Sequence, residues 1–563
     1  MHKTNLHFPL LNWKYFLHFI PVALSIVIAL LWIYWPGLTD AYDFHDSFYT
    51  YAYTNKEVCN AHPQTGYYLY IGRPLLNLIN CFMIAGQIDT LQDTVFVRAI
   101  AFLLLTASMI MVATLIRAMG YNRLTATVIA IGLGSLPGMQ LFIFMTLAST
   151  ILWTLPPILA ASAVFFYARH SLFSLFNNFS SALIKALLLL LVSAFLLFIA
   201  SLIYQQTSSL FFLFTGLMCL SPKIIVSPHK ALTLMGAALL VYALHGLVYL
   251  AVFHQFILPE ALSLMKMTLE EAQGKNYDVV VSSDLFGKLQ FLATNLFVKG
   301  LHLWTIGEGH PFTQLVAIGF FLSIIFWVLS AFNRAKTVNK AQPQPWYKSP
   351  QIVIIATLSL IIATLVLVNA PNLIAQASST TSRHTLIFQA TIIALIVAGA
   401  QQFWSLKKYA FTKQALVSSV VAMAVIGAVS ARHNFDFNMS GIAKKEIAYI
   451  QKALTPHMAN LPERIIVIQP NVSTLTLSGD AKSTFDENGV LTTQFWQDVP
   501  WITLAAYLDL GGDRRLFPKI EAIHPGEMKE NPGKENALVI DMRKLVYNIL
   551  DKRFEITGPF FEQ

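Results

Sequence analysis

Residues 16–34 read FLHFIPVALSIVIALLWIY, and no Asp, Glu, Lys or Arg interrupts them. As a helix rising 1.5 Å per residue they reach about 28 Å, close to the ~30 Å hydrocarbon core of a bilayer. Inside lipid each backbone amide must be paired within its own segment, so a run of this kind is a helix. The pattern recurs along the chain. Of its 563 residues, 56% are hydrophobic and 12% charged, against about 25% charged in soluble domains. A soluble protein is excluded. Further apolar runs lie near Val95–Ile116, Thr125–Leu136, Phe142–Phe166, Leu183–Tyr204, Leu210–Leu220, Ala231–Phe253, Phe312–Phe332, Ile352–Val368, Leu386–Gln401 and Leu416–Ser430. The expectation is an α-helical polytopic membrane protein of about eleven spans.

The net charge of +9 does not point to nucleic acid, because of where the charges fall. With the N-terminus inside, the short inner segments hold Lys3, Lys14, Arg117, Arg123, Arg169, Lys185, Lys223, Lys230, Arg334, Lys336, Lys340, Lys348, Lys407, Lys408 and Lys413, and no acid. Lys/Arg bias of this kind sets membrane orientation. Eleven spans then place the C-terminus outside. The first span is long and its distal flank acidic, so it reads as a retained helix rather than a cleaved signal.

Three larger segments fall outside: an outer loop 36–94, an outer loop 255–311, and the tail, which divides a membrane core 1–432 from a small α/β domain 433–563. In the second loop, Pro259–Gly274 and Leu285–Thr305 have amphipathic helical spacing and suit the bilayer interface. In the tail, ERIIVIQP (463–470) and ENALVID (535–541) read as buried strands, Gly441–Leu454 and Asp541–Leu550 as helices. Asn333–Pro350, polar and proline-bearing, reads as a loop. Cys59 and Cys81 share the first outer loop, where a disulfide is feasible in an oxidising compartment.

Immediately after the first span comes GLTDAYDFHDSFYTYAYTN, residues 37–55. Asp40, Asp43 and Asp46 follow at intervals of three, which makes neighbours of them on a helix. Close carboxylates need a proton, a cation or a cationic ligand to compensate them. They suit a general base or a divalent cation such as Mg or Mn held by Asp43 and Asp46; the alternative is a solvated acidic turn. Downstream, Arg73 sits in IGRPLL, an apolar setting where an arginine pairs with carboxylate or phosphate. Arg383 and His384 open a later span on the outer side, against the inner charge bias, and suit an anionic headgroup; a snorkelling arginine is the alternative. Lys299, His302 and Trp304 form a third candidate group, ahead of a Gly-rich segment at 307–312.

An inside N-terminus, an acidic motif in the first outer loop, many spans and an outer tail together resemble the GT-C class of membrane glycosyltransferases. The acidic-aromatic motif followed by GRPL (72–75) is similar to the bacterial O-antigen glucosyltransferase family, by motif over 34–87 and by topology elsewhere. That resemblance implies a polyprenyl-phosphate sugar donor, a glycan or lipid-linked acceptor, and an inner-membrane enzyme whose active site faces the periplasm. Asp46 matches the catalytic position, Asp43 is a second acid one turn back, and Arg73 matches the arginine of GRPL. The family pattern has paired acids where this chain has His45 before Asp46, which leaves metal dependence and the choice of base open. Asp40, His45, Arg383, His384, Lys299, His302 and Trp304 complete the candidate substrate-binding set. Two other classes compete: a flippase of lipid-linked saccharides, and a non-catalytic envelope assembly factor.

Overall fold

The computed structural model describes residues 13–43, 69–83, 88–144, 155–170, 179–222, 224–225, 227–273, 284–304, 311–341, 349–374, 382–405, 410–470, 493, 498–524, 537–548 and 553–556. The chain is a largely α-helical polytopic membrane protein with a small open β region near its C-terminus. The main helices are α1 (Trp13–Thr39), α2 (Pro74–Met83), α3 (Leu91–Ala118), α4 (Arg123–Gly134), α5 (Phe179–Ile203), α6 (Leu210–Cys219), α7 (Pro228–Val252), α8 (Pro311–Ala341), α9 (Pro350–Leu367), α10 (Ser382–Trp404), α11 (Ala410–His433), α12 (Gly441–Leu454) and α13 (Val499–Asp509).

Seven helical stretches among the described residues, not eleven, are long and apolar enough to cross a membrane. Part of the difference is helix length. Two expected spans form α4 and α6, helices of 12 and 10 residues, shorter than the ~20 residues a bilayer requires. Both fill the interior instead: α6 is buried along its whole length and α4 nearly so. Of the span expected at 142–166, the described residues fall in Pro137–Phe144 and Leu155–His170. The span expected at 183–204 is α5, a helix of 25 residues whose described apolar stretch is Leu187–Ile203 and which exposes Leu187, Leu188, Leu191 and Phe195.

At the centre stands α10, from which 94% of the hydrophobic window is enclosed by protein. It packs against α8 and α4, and Trp327 of α8 donates its indole N–H to the Leu395 carbonyl at 3.2 Å. Peripheral helices such as α7 and α11 present Leu247, Val425 and Val429 outward, as a lipid-facing surface does. The helix begun by α7 runs through a π turn at Phe253–Ile257 to Met265, longer than a bilayer is thick. It stops where Lys266 adopts φ 53°, so the amphipathic segment expected over 259–274 breaks into Leu258–Met265 and Leu269–Gln273. The inner segment expected as a loop from Asn333 is helical as far as Ala341; its Arg, Ala and Lys are good helix formers and Arg334 is tied to neighbouring chain.

In the tail, β1 (Arg464–Ile468), β2 (Lys519–Ile523) and β3 (Ala537–Asp541) form a parallel sheet in the order β2-β1-β3, with Arg464 level with Lys519 and Ala537. The expected strands are β1 and β3, and the expected helix at 441–454 is α12. A helix expected at 541–550 is instead a short turn, Met542–Lys544, followed by β4 (Leu545–Asn548), antiparallel to β5 (Arg553–Ile556). The buried Asp541 carboxylate fixes that turn by accepting from the Arg543 backbone and guanidinium. Short apolar runs cannot be assigned to helix or strand by periodicity. No break separates tail from membrane core: α11 passes through a π segment, Asn434–Ser440, directly into α12.

Candidate functional site

The chain leaves α1 at Gly37, where the Phe435 ring lies so close that any side chain would displace it. From there the backbone is held by one residue. Arg98, on α3 and fully buried, donates Nε to Gly37 O at 2.7 Å, one terminal nitrogen to Tyr42 O at 2.6 Å and the other to Asp40 O at 2.6 Å. Its guanidinium also stacks 3.9 Å from the Tyr42 ring centroid. Thr94, one turn earlier, donates to Tyr42 O at 2.9 Å. A planar fork of donors matches three carbonyls fixed in one turn, so the path of residues 37–42 is set from α3. Burial pushes the Tyr42 hydroxyl pKa up, with Arg98 opposing.

The acids on this turn differ in setting. Asp40 accepts from Lys444 of α12 at 2.6 Å, a half-exposed pair that joins the turn to the tail. Asp43 is completely buried. His45 and Asp46 lie outside the described residues. So does Cys59; Cys81 on α2 is buried and disulfide-bonded, and Cys219 is a free buried thiol.

A second turn carries Arg73. Gly72 has φ 73°, and a Cβ there would overlap the Tyr249 hydroxyl. Gln205 donates to Ile71 O at 2.7 Å and to the Tyr249 hydroxyl at 2.8 Å, and Tyr249 donates to Gly72 O at 3.1 Å. Gln205 opens a polar 3-10 turn, Gln205–Ser209, whose hydroxyl residues are buried between α5 and α6. This lattice aims Arg73 over the Tyr204 ring, 4.3 Å from its centroid. Among the described residues Arg73 has no carboxylate partner, and its Nε is buried without an acceptor. It is a half-buried cation stacked on an aromatic and, among the described residues, lacking a counter-ion.

Arg383 and His384 stand in the first turn of α10, their side chains outside the described residues. Lys299 lies in the last turn of the short helix Phe297–Gly300. His302 is buried, with Nδ1 3.3 Å from the Thr313 hydroxyl. Trp304 is enclosed in the core: its indole donates to Ser135 at 2.9 Å, and Gly427 lies against its ring. The ring has no face open to a ligand. Sequence reasoning does not single out Arg98, Lys444, Gln205 or Tyr249. The available signal is Arg98 itself, a lone base at one end of an apolar run.

Among the described residues no three His, Cys, Asp or Glu side chains converge as a metal site would require; a Mg or Mn site through Asp46 involves residues outside that set. No protein-family model matches this chain, and no curated protein matches it.

Proposed function

We propose that the chain is a membrane glycosyltransferase that moves a sugar from a polyprenyl-phosphate donor to a glycan, lipid or protein acceptor. The observation that carries this is Arg73: a half-buried guanidinium, stacked on Tyr204 and without a counter-ion among the described residues, at the same end of the helical body as the acidic turn. Phosphate fits such a fork by charge and geometry. An aspartate takes the proton of the acceptor hydroxyl as its oxygen attacks the anomeric carbon. The bond from that carbon to the phosphate oxygen breaks, and Arg73, with Arg383, stabilises the charge left on phosphate. The complete burial of Asp43 favours Asp46 for direct proton transfer and gives Asp43 a supporting role. The distribution of basic residues supports an inner-membrane protein whose tail and acidic turn face the periplasm.

A transport reading draws on one feature, the buried His245 on α7, with Nε2 3.3 Å from the Ser201 hydroxyl of α5. Ionisable residues within spans mark pathways in transporters. The two are separated by measuring envelope glycans and lipid-linked sugars in cells carrying Asp46→Asn, Asp43→Asn or Arg73→Ala at normal abundance. Lost product with donor lipid accumulating on the outer leaflet is expected. Product persisting in all three variants refutes the transferase, and donor trapped on the inner leaflet favours transport.

A further inference from the structure

At the opposite end of the bundle, Arg117 and Arg123 flank one tight turn that carries Tyr121, and Arg334 approaches it from α8. Tyr121 sits in the tight turn between α3 and α4, where Gly120 adopts φ 101°; it is buried, and its hydroxyl donates to Leu217 O at 2.9 Å. Arg117 donates to the Tyr121 carbonyl at 2.7 Å and lies close enough to Arg123 for the two to repel. Arg334 of α8 comes from the other side, near the tyrosine ring. Its terminal nitrogens reach only Pro222 O at 3.3 Å and the Ser405 hydroxyl at 3.1 Å, long for a charged donor, whose bonds run about 2.7–2.9 Å.

No carboxylate offsets these charges. Among the described residues none of the three arginines has an acidic partner. The segments around them, 117–124, 221–230, 333–351 and 402–415, contain no Asp or Glu at all. Gln402 is buried, 1% exposed, beside the Tyr121 hydroxyl, with neither its amide oxygen nor its nitrogen in a well-formed hydrogen bond. Topology alone asks for positive charge at this end, but it is satisfied by solvated lysines and does not require a half-buried arginine.

The neighbouring surface indicates what bears the anion. On α8, Leu322, Ile325 and Leu329 are exposed at helical spacings that place them in one stripe, a lipid-facing surface. Arg334 follows Leu329 on the same helix by five residues, about 7.5 Å along its axis, so it lies at headgroup depth beyond that surface. We propose that Arg334, Arg117 and Arg123, with Gln402 and Ser405, bind the phosphate of an anionic phospholipid in the leaflet at this end of the bundle. Basic recesses between membrane helices recognise headgroups in this way. The site is independent of the sugar-transfer chemistry assigned to the other end.

The test is native mass spectrometry of the full chain in detergent, titrated separately with phosphatidylglycerol, phosphatidylcholine and inorganic phosphate. Phosphatidylglycerol is expected to be retained at physiological salt. Arg334→Gln should weaken it about fivefold, the order expected for one basic residue. Ser405→Asp, an exposed change that supplies Arg334 with an internal counter-ion, should do the same without disturbing the core, while Lys452→Gln in the tail should leave binding unchanged. Undiminished binding in a folded Arg334→Gln or in Ser405→Asp overturns the proposal. So does equal retention of phosphatidylcholine. Inorganic phosphate bound as tightly as phosphatidylglycerol overturns the lipid assignment.

Discussion

Replacing Arg98 by methionine removes three donors while keeping much of the side-chain volume. The carbonyls of Gly37, Asp40 and Tyr42 each lose a charge-assisted bond of 2.6–2.7 Å, and bonds to charged groups are worth about 1.5–3 kcal/mol each. The simple sum is about 4–9 kcal/mol, and the stacking on Tyr42 adds about 1–2. Against this, methionine escapes the several kcal/mol of desolvation that burying the guanidinium costs, and water entering the outer end of the bundle re-satisfies part of what is lost. A net local destabilisation of about 3 kcal/mol follows, or roughly 150-fold in the opening equilibrium of the turn at 1.4 kcal/mol per decade. Hydrogen exchange by mass spectrometry in detergent reads this directly: peptides covering residues 37–43 and 88–98 should exchange far faster, while those from α10 should not change. Arg98→Lys should recover only part of the protection, since one ammonium cannot reproduce a three-way planar fork. Unaltered exchange at 37–43 in the methionine variant would show that Arg98 does not set the path of that turn.

Three further outcomes follow from neighbouring features. Gly72→Ala should disable the Arg73 turn, because alanine at φ 73° is strained by about 1 kcal/mol and its methyl displaces the Tyr249 hydroxyl; in vivo product should fall as far as in Arg73→Ala, and wild-type product levels count against a shaped Arg73 site. Lys444→Met breaks a half-exposed ion pair and should cost no more than about 1 kcal/mol, less at high salt; a loss several times larger in thermal unfolding would mean that the pair holds the tail in place. Trp304→Phe surrenders the bond to Ser135 and leaves part of the indole volume empty, so a drop of about 2–3 kcal/mol in core stability is expected, with donor-lipid binding unchanged. Weakened binding at undiminished stability would put Trp304 back in contact with substrate.

The membrane class was legible from composition, and β1, β3 and α12 from local pattern: IIVI and ALVID are short and rich in β-branched residues, and α12 repeats its apolar residues at helical spacing. The number of spans was not legible. Hydropathy registers that α4 and α6 are apolar, but a helix buried among helices and one facing lipid look alike on that scale, and only length and neighbours separate them. The same ambiguity hid Trp304: an aromatic beside His302 in an outer segment resembles a ligand wall, yet its indole closes on Ser135, 169 residues earlier in the chain. Arg98 carries no sequence signal of this kind because its value depends on three carbonyls 56 to 61 residues away, a relation no spacing encodes. Arg73 stands out by its odd setting. What sequence does not supply is that Asp40, the obvious partner, is taken by Lys444, which leaves Arg73 without a carboxylate among the described residues.

The uninterrupted run from α11 through the π segment into α12 has a mechanical meaning. From Ala410 to Leu454 it extends about 65 Å at 1.5 Å per residue, and roughly 30 Å of that projects beyond His433. Such a rod is a lever with its fulcrum at the bilayer surface. A tilt of about 10° in the embedded arm sweeps the far end by about 5 Å, and the same angle returns as a torque when something pulls on the sheet packed against it. Lys444 sits on the short side of that lever, where it pairs with Asp40, so the acidic turn lies close to the fulcrum, where a tilt of the rod displaces it least.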